Sequence, residues 1–374
     1  MRNIILHITN DYSGSTVYMN LISELDNLGI PQIVYNPIRD PNRIGKNAID
    51  FKTEGSKIIY SSILNYHIDR LLYSWKIKKI LKDIESKVDF SKVNLIHAHT
   101  WYSDGGVAYL LSKKYNIPYI IAVRNTDLNV HYKYFVHHRR LGYKILESAK
   151  EIILIGEYQN KFFKNNFEDN IYSKIKVIPN GVNNFWIDNS KIFKPEKDIN
   201  KFKILYVGTF IKRKKLLELQ QAVIELSKIN NSKLELHIVG EGGKQTKKIL
   251  KFIQKYPKLF IYHGKVDQKE KLEKIYNNCH IFVMPSKYET FGLVYIEALL
   301  QGLPILYTKD EGIDGLYSEK IGDKVSIGNV EEIKKKILKM VNDYSSYDIP
   351  TEKLKENHNW TNLALIYNKI YNEK

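Results

Sequence analysis

The sequence predicts an α/β protein made of two doubly wound parallel-sheet domains, and three observations predict it. The chain has 374 residues, more than a single hydrophobic core ordinarily organises. Short apolar runs alternate with helix-length segments through both halves, the pattern of repeated βαβ units. Between the halves, Asn183 to Asn200 is polar and rich in turn residues, which suits a linker. The expected domains are therefore residues 1–183 and 201–348, joined by a linker at 184–200, with 349–374 as a closing helical segment.

The strands expected in the first half are Ile4-Ile-Leu-His-Ile, Leu95-Ile-His-Ala, Tyr119-Ile-Ile-Ala-Val and Ile152-Ile-Leu-Ile. Their near-continuous apolar character marks strands covered on both faces, as in parallel sheets. The second half repeats the pattern with Lys203-Ile-Leu-Tyr-Val, Leu234-Glu-Leu-His-Ile-Val, Leu259-Phe-Ile-Tyr, Ile281-Phe-Val-Met and Pro304-Ile-Leu-Tyr. Near the end, Trp360, Leu363, Ala364, Tyr367, Ile370 and Tyr371 form one helical stripe, and such a stripe needs a surface to pack on.

Composition narrows the class. A hydrophobic fraction of 43% with 12% aromatic residues is globular rather than disordered or fibrous. The lone Cys279 rules out an internal disulfide framework and fits a reducing compartment. No apolar run approaches the roughly 20 residues that span a bilayer, and the N-terminus reads as a strand rather than a leader. A cytoplasmic location is expected, with a peripheral place on the inner face of the membrane also open.

The net charge of +17 is concentrated. Residues 51–150 carry 17 Lys/Arg against 8 Asp/Glu, and residues 201–250 carry 11 against 4. Localised basic surface attracts phosphates in nucleotide sugars, lipid headgroups or nucleic acid. Nucleic acid is not an expected partner, since the cations accompany no recognised binding motif or stacking platform. Between Leu64 and Ile84, apolar Leu64, Ile68, Leu71, Leu72, Trp75, Ile80, Leu81 and Ile84 alternate with Arg70, Lys76, Lys78, Lys79 and Lys82. That segment suits an anionic membrane surface or equally an ordinary helix packed on a sheet.

Ligands of open α/β sheets bind beyond the carboxyl ends of strands, so the residues after each apolar run carry the chemistry. After the first strand, Gly14 precedes a helix opening near Thr16, either as a phosphate-approach loop or as a plain turn. Gly208-Thr-Phe-Ile-Lys-Arg-Lys-Lys215 puts four consecutive cations at a helix start, where they oppose the helix dipole. A bound diphosphate would resolve that conflict, with Arg213 as a bidentate partner and Lys214 as a point charge; the other reading is a solvated basic helix start. Gly240 and the His263-Gly-Lys-Val266 turn offer walls for a nucleotide pocket, or are only turns. In the first half, His97 and His99 straddle a strand end, and Arg124-Asn125-Thr-Asp127 follows the next strand, either where a catalytic group is expected or as a buried turn with local Asx hydrogen bonds. His97 and His99 with His131, His137 or His138 match no zinc spacing, so no metal is expected.

The most specific stretch is Pro285-Ser-Lys-Tyr-Glu-Thr-Phe-Gly-Leu-Val-Tyr-Ile-Glu297. Its carboxylates Glu289 and Glu297 are eight residues apart, roughly 80° from one another on a continuous helix. A break fits better: a loop from Pro285 to Phe291, then a helix from Leu293 to Gln301 closed by Gly302 and Pro304. Gly292 then stands at a helix N-terminus, an anion site, with Glu297 one turn further in to bond sugar hydroxyls, or the pair is only a surface glutamate and a helix-face glutamate.

These residues together resemble the large family of retaining nucleotide-sugar glycosyltransferases with the GT-B fold and an E-x7-E motif, glycosyltransferase family four, which includes capsule, lipopolysaccharide and exopolysaccharide enzymes. The elements in register are Gly14, His97-Ala-His99, Val177-Ile-Pro-Asn-Gly-Val182, Val207-Gly208 with Lys214, Val239-Gly-Glu-Gly242, and Pro285 to Glu297. The resemblance implies two Rossmann-like domains facing a cleft, acceptor-binding in the first and donor-binding in the second, with the last helix returning to the first. It implies that Glu289 contacts the transferred sugar and Glu297 the ribose. Phe291, Gly292, Leu293 and Val294 would offer backbone amides, and Lys214 with Arg213 would stabilise the departing diphosphate. Gly14, Gly208, Thr209, Gly240 and Val266 fall on the donor side by the same resemblance, and His99, Asn125 and Asp127 on the acceptor side.

Two departures from the family pattern stand out. Thr209 occupies the position of a usual arginine, so Arg213 takes that charge. Arg124 occupies that of a usual histidine, and arginine orients substrates rather than transferring protons. The implied activity is metal-independent transfer of a hexose, with retention, from a nucleotide-diphosphate sugar to a glycan or lipid-linked acceptor in bacterial surface polysaccharide synthesis. It needs no cofactor besides the donor co-substrate. The alternative on the same fold is a sugar-nucleotide epimerase.

Overall fold

Parallel pairing of apolar strands organises both halves of the chain, shown here by a computed structural model that describes residues 4–65, 69, 72–194, 201–229 and 234–373. Unit 1 comprises Met1–Ile155, Gln159–Gly181 and Trp360–Lys374, and unit 2 comprises Gly156–Tyr158 and Val182–Asn359.

Unit 1 holds a seven-stranded parallel sheet: β1 Ile4–Ile8, β2 Gln32–Pro37, β3 Lys57–Ser61, β4 Val93–Ala98, β5 Tyr119–Ala122, β6 Glu151–Leu154 and β7 Ile175–Val177. Their order is β3-β2-β1-β4-β5-β6-β7, so winding reverses between β1 and β4. Side chains alternate between two buried faces, as the period of two requires. Leu6, Ile8, Ile96, Ala98 and Ile121 pack beneath the helices Tyr73–Glu85 and Ser103–Tyr115. Ile5, Leu95, Ile120, Ala122 and Ile153 pack beneath Thr16–Asn27 and Trp360–Asn372.

Unit 2 repeats the plan with six strands: β8 Phe202–Val207, β9 Leu234–Val239, β10 Phe260–Gly264, β11 Ile281–Val283, β12 Ile305–Thr308 and β13 Gly322–Val325. The order β10-β9-β8-β11-β12-β13 again reverses in the middle, between β8 and β11. The expected two doubly wound parallel sheets are both present.

Three segments differ in detail from the sequence reading. Residues 349–374 form two helices rather than one: Thr351–His358 packs on Leu293–Leu300 within unit 2, while Trp360–Asn372 packs on Thr16–Asn27 within unit 1. Residues 184–200 begin with the short helix Asn184–Asp188, and 195–200 lie outside the described residues. In the basic segment, Ile68, Arg70 and Leu71 also lie outside them, while Leu64 and the helix residues Tyr73, Ile77, Ile80 and Ile84 are buried against the sheet. The helical apolar stripe is therefore core, and among the described residues of that series only Leu72 and Trp75 are left exposed.

Trp360 anchors the returning helix, its indole buried against the Gly181 backbone among Tyr18, Leu21, Leu25 and Ile178. Trp360→Ala is expected to destabilise the fold by about 3–5 kcal/mol, read as a lowered urea midpoint. A loss below about 1 kcal/mol would show that the helix is not held by this residue.

Candidate active site

In unit 2 the chain leaves β8 toward β9 and leaves β11 toward β12, on opposite sides of the line between them. Loops that diverge in this way leave a crevice at the carboxyl ends of the two strands. Gly208–Lys215 forms one wall of it and Met284–Gly292 the other. Phe210 is buried and donates its N–H to Gly242 O at 2.8 Å, fixing the first loop. Lys212–Lys214 then make a single 3-10 turn, Lys215 is left-handed at φ 58°, and the helix begins only at Leu216. The four cations thus precede the helix rather than lying along its first turn, with Lys212 and Arg213 exposed and Lys214 and Lys215 nearly buried.

The two walls meet through charge. Lys214 Nζ lies 2.6 Å from Glu289 Oε2 and 3.5 Å from Met284 Sδ, and Arg213 Nη1 lies 3.6 Å from the same carboxylate oxygen. Lys214 and Glu289 side chains are nearly buried and Arg213 is exposed. The loops are also stitched by their backbones, with Lys287 N–H donating to Arg213 O at 2.6 Å. The residues that resemblance gave to opposite ends of a donor, Glu289 and Lys214, are thus direct partners. An incoming phosphate reaches Lys214 only by competing with Glu289.

Glu289 is held from several sides. Its own N–H donates to Glu311 Oε2 at 2.8 Å, and Thr290 N–H donates to Glu289 Oε1 at 3.2 Å. Tyr158 OH donates to Thr290 O at 3.0 Å. Burial pushes the Glu311 carboxyl up, the neighbouring Glu289 charge adding to it. Tyr288, just before, sits at φ 59°, a left-handed conformation that costs a bulky residue free energy. Glu311 and Tyr158 had no sequence signal: one lies 14 residues past the motif, the other in the opposite half of the chain.

Gly292 caps the next helix, Leu293–Leu300, at φ 78°. A side chain there would collide with the Tyr295 ring and press on Glu289 Cγ, so only glycine permits this turn. With no capping side chain, the helix start is open to an anion. Phe291 is buried, and Leu293 and Val294 are half-buried. Glu297, one turn in, accepts a hydrogen bond from Tyr276 OH at 3.4 Å. Burial pushes its carboxyl up to about 7, against the Tyr276 hydrogen bond and the Lys269 charge. Across the crevice, a side chain on Gly240 would fall on the Gly208 carbonyl, so the ends of β8 and β9 close backbone to backbone. Thr209 is exposed and Val266 half-buried on the same rim.

Gly14, Arg124, His99, Asn125 and Asp127 all fall in unit 1. Gly14 ends a 3-10 turn after β1, directly before the helix Thr16–Asn27, whose N-cap is Ser15. Arg124 Nε donates to His99 O at 3.2 Å, its Nη1 donates to Asn180 Oδ1 at 3.3 Å, and its guanidinium stands 5.5 Å over the Tyr18 ring. Asn125 is buried and accepts a hydrogen bond from Asn129.

Two residues expected on the acceptor side are turned inward. The Asp127 carboxylate takes the N–H groups of Trp101, Tyr102 and Arg124 at 3.0, 3.2 and 2.8 Å, which makes it a buried knot between two loops. His99 is fully buried and its Nε2 lies 3.0 Å from His7 Nδ1. His97 stacks on His99 at 4.0 Å and bonds Tyr371 OH at 2.8 Å. Burial holds His7 down to about 3 and the other two well below the usual imidazole range, so all three stay neutral. One ring nitrogen from each lies within 4.8 Å of the others, a set in which the sequence reading missed His7.

A profile of glycosyl transferases group 1 matches residues 188–359, and one of glycosyltransferase family 4 matches residues 14–184. An uncharacterized glycosyltransferase of Methanocaldococcus jannaschii is 26% identical over 82% of this chain and 81% of its own length. The capsular polysaccharide biosynthesis glycosyltransferase CapM of Staphylococcus aureus is 32% identical, over 57% of this chain and 58% of CapM. Among solved structures, the sucrose-phosphate synthase of Thermosynechococcus elongatus superposes with a TM-score of 0.71 at 20% identity, covering 99% of this chain and 98% of that one. Anabaena HepE, solved with UDP-glucose, superposes with a TM-score of 0.67 at 15% identity, covering 98% of each.

The raised Glu297 carboxyl carries a pH signature. As pH rises from about 4.5 to about 7, the folded protein keeps a proton that the unfolded chain releases, so stability falls through that window. Glu297→Gln should flatten this slope and raise the thermal midpoint above pH 7, removing a cost on the order of 2–3 kcal/mol. An unchanged pH profile in the variant would place the titration elsewhere.

Proposed function

The chain belongs to the GT-B glycosyltransferases of the family 4 type, and on that footing we propose that it transfers a hexose from a nucleotide-diphosphate sugar, with retention, to a glycan or lipid-linked acceptor of a surface polysaccharide. The observation that carries the reading is the Lys214–Glu289 contact of 2.6 Å across the crevice of unit 2. It places a cation, a second cation at Arg213 and an uncapped helix start around one carboxylate. HepE, a fold neighbour, was solved with UDP-glucose, which supports the donor class, and CapM is a capsule enzyme, which supports the acceptor class.

In the proposed step the anomeric carbon–oxygen bond to the diphosphate breaks and an acceptor hydroxyl oxygen bonds that carbon on the same face. The hydroxyl proton leaves with the diphosphate. Negative charge grows on the diphosphate as the bond breaks, and groups already aimed at it stabilise that change most. Lys214 and Arg213 take the charge, with the amides after Gly292 beside them. This is the work a divalent ion would otherwise do, so the proposed transfer is metal-independent. Glu289 exchanges Lys214 for the hydroxyls of the transferred sugar, and Glu297 accepts from the ribose. Gly208, Thr209, Gly240 and Val266 frame the nucleotide.

In unit 1, Arg124 has a fixed positive charge, anchored on His99 O and Asn180, and we assign it to orienting a hydroxyl or carboxylate of the substrate. Asn125 is proposed to support that face. No helix among the described residues is long and apolar enough to cross a membrane. We place the protein in the cytoplasm, peripheral on the inner membrane face.

Lys214→Ala and Glu289→Gln should each lower transfer from a matched nucleotide sugar by about 10²-fold or more while circular dichroism stays native. The assay follows nucleoside diphosphate release together with glycan product, so that transfer is separated from epimerisation or donor hydrolysis. Full transfer by either variant would remove the assignment.

A further inference from the structure

His7 on β1 and His97 on β4 are partners in the parallel ladder, and His99 follows two residues on, so the period of two points all three imidazoles to one face of the sheet. That face is covered by Thr16–Asn27 and Trp360–Asn372. One nitrogen of each ring is engaged, His7 Nδ1 with His99 Nε2 at 3.0 Å and His97 Nδ1 with Tyr371 OH at 2.8 Å. The others, His7 Nε2, His97 Nε2 and His99 Nδ1, are buried and make no hydrogen bond. Buried polar atoms are nearly always bonded, so three orphans on one cluster call for a further partner. Gln32, beside His7, adds a fourth: its Nε2 is held by Ile22 O at 3.1 Å, but its Oε1 is buried and unbonded.

We propose that His7, His97 and His99 hold a divalent transition-metal ion of the zinc class, with the Tyr371 hydroxyl oxygen as fourth ligand. An all-imidazole set suits zinc, cobalt, nickel or copper, whereas magnesium and calcium take oxygen ligands. One nitrogen from each ring already lies within 4.8 Å of the others. Coordination also needs neutral rings, and burial keeps these neutral. With His7 Nδ1 and His99 Nε2 on the ion, the ring protons sit on His7 Nε2 and His99 Nδ1. Gln32 Oε1 then accepts from His7 Nε2, the kind of outer bond that fixes a liganding imidazole. The Arg124 charge opposes a cation at this place. Tyr371 offsets it by releasing its hydroxyl proton to water as the metal–oxygen bond forms, which leaves one negative charge on the oxygen.

A way in exists. A cavity of about 920 Å³ is lined in part by Ile5, Leu95, Asn368, Tyr371 and Glu373. Ile5 and Leu95 precede His7 and His97 by two residues on the same sheet face, and Tyr371 reaches from the cavity wall to His97. The bound ion would tie β1, β4 and the last helix together within unit 1. Such a structural role needs no sugar transfer, so the inference does not rest on the functional reading.

The full chain, stripped with EDTA and dialysed, tests this with cobalt and zinc alone. One equivalent of Co²⁺ should bind, on direct addition or on refolding from urea in its presence, and give the visible d–d bands of a tetrahedral site. Zn²⁺ should abolish those bands and, at about 100 times its Kd, raise the thermal midpoint by about 5 °C or more. Mg²⁺ should do neither. His7→Phe and His97→Phe should each weaken binding by about 100-fold or more, and Tyr371→Phe, the mildest change to the packing, by about tenfold. His137→Ala with His138→Ala, which removes a more accessible histidine pair, should change nothing. Failure to bind by either route, binding untouched by the ligand substitutions, equal stabilisation by Mg²⁺, or loss of binding in the His137→Ala, His138→Ala variant would each overturn the proposal. Should a histidine variant not fold, Tyr371→Phe decides by the same reading.

Discussion

The reversal of winding between β8 and β11 is the constraint from which the candidate site follows. Adjacent parallel strands whose crossovers leave in opposite directions cannot have their following loops packed on one another by the helices. Something else must close the gap, and in unit 2 it is the Lys214–Glu289 ion pair with the Lys287 to Arg213 backbone bond. Unit 1 meets the same topological problem between β1 and β4. There Asn10, after β1, donates from its backbone N–H to Asp104 at 3.2 Å, in the helix after β4. The chemistry of the two bridges differs. Asp104 is fully buried and its acidity is weakened by burial, whereas the bridge in unit 2 borders solvent through Arg213.

A charged bridge at a solvent-bordering crevice is a poor source of stability and a good binding site. Two nearly buried opposite charges recover by attraction little more than the hydration they lose. An anion that brings its own charge can therefore take over the lysine at small net cost. What must not move is the carboxylate, and the structure holds it through backbone rather than side chain. Glu311 grips the Glu289 N–H, Tyr158 grips the Thr290 carbonyl, and Gly292 turns the chain where any side chain would strike Tyr295. The left-handed Lys215 and Tyr288 flank the same bridge, one on each wall. Strain of this kind persists only where the surroundings over-determine the backbone, and these bonds supply that over-determination.

Most interior strands were legible in the sequence because a parallel sheet buried on both faces demands apolar runs, as in Ile4–Ile8 and Ile281–Met284, but interior β2, whose run holds Gln32, Asn36 and Pro37, was not. Among edge strands, β10 carries such a run and β13 does not. Gly322-Asp-Lys-Val325 reads as a polar loop, yet it pairs with β12 from Ile305 to Thr308. The loop-then-helix geometry of Glu289 and Glu297 was also legible, since an eight-residue step cannot stack on one helix face. Their supports were not. Tyr158 reaches Thr290 across 132 positions, and no periodicity encodes a contact at that range. Arg124–Asp127 left two readings open, a polar group facing a ligand or a buried turn, because a polar residue after a strand serves either end. Three backbone N–H groups converging on Asp127 from the loops of two neighbouring strands give it the second task. The basic apolar segment left two readings open for a related reason: periodicity shows that a stripe is buried, but not against what.

Arg124 shows how one residue can change the character of a face without altering the fold. Behind it lie His7, His97 and His99, three imidazoles that burial keeps neutral, with the arginine charge opposing protonation of His97 and His99. A histidine at position 124 would stand beside this cluster as a fourth imidazole, with an affinity for protons set by its neighbours. Arginine removes that dependence, since its guanidinium stays charged at every pH the protein meets. The His99 carbonyl and Asn180 fix two of its donors, and the Tyr18 ring lies beneath its plane. Of the fork's five N–H donors, those not so engaged have a direction set by the fold rather than by the ligand. A rigid, permanently charged fork discriminates by geometry, favouring a substrate whose oxygens match its spacing, where a histidine would discriminate by proton affinity. The role we propose for Arg124 is therefore selection by geometry rather than proton transfer.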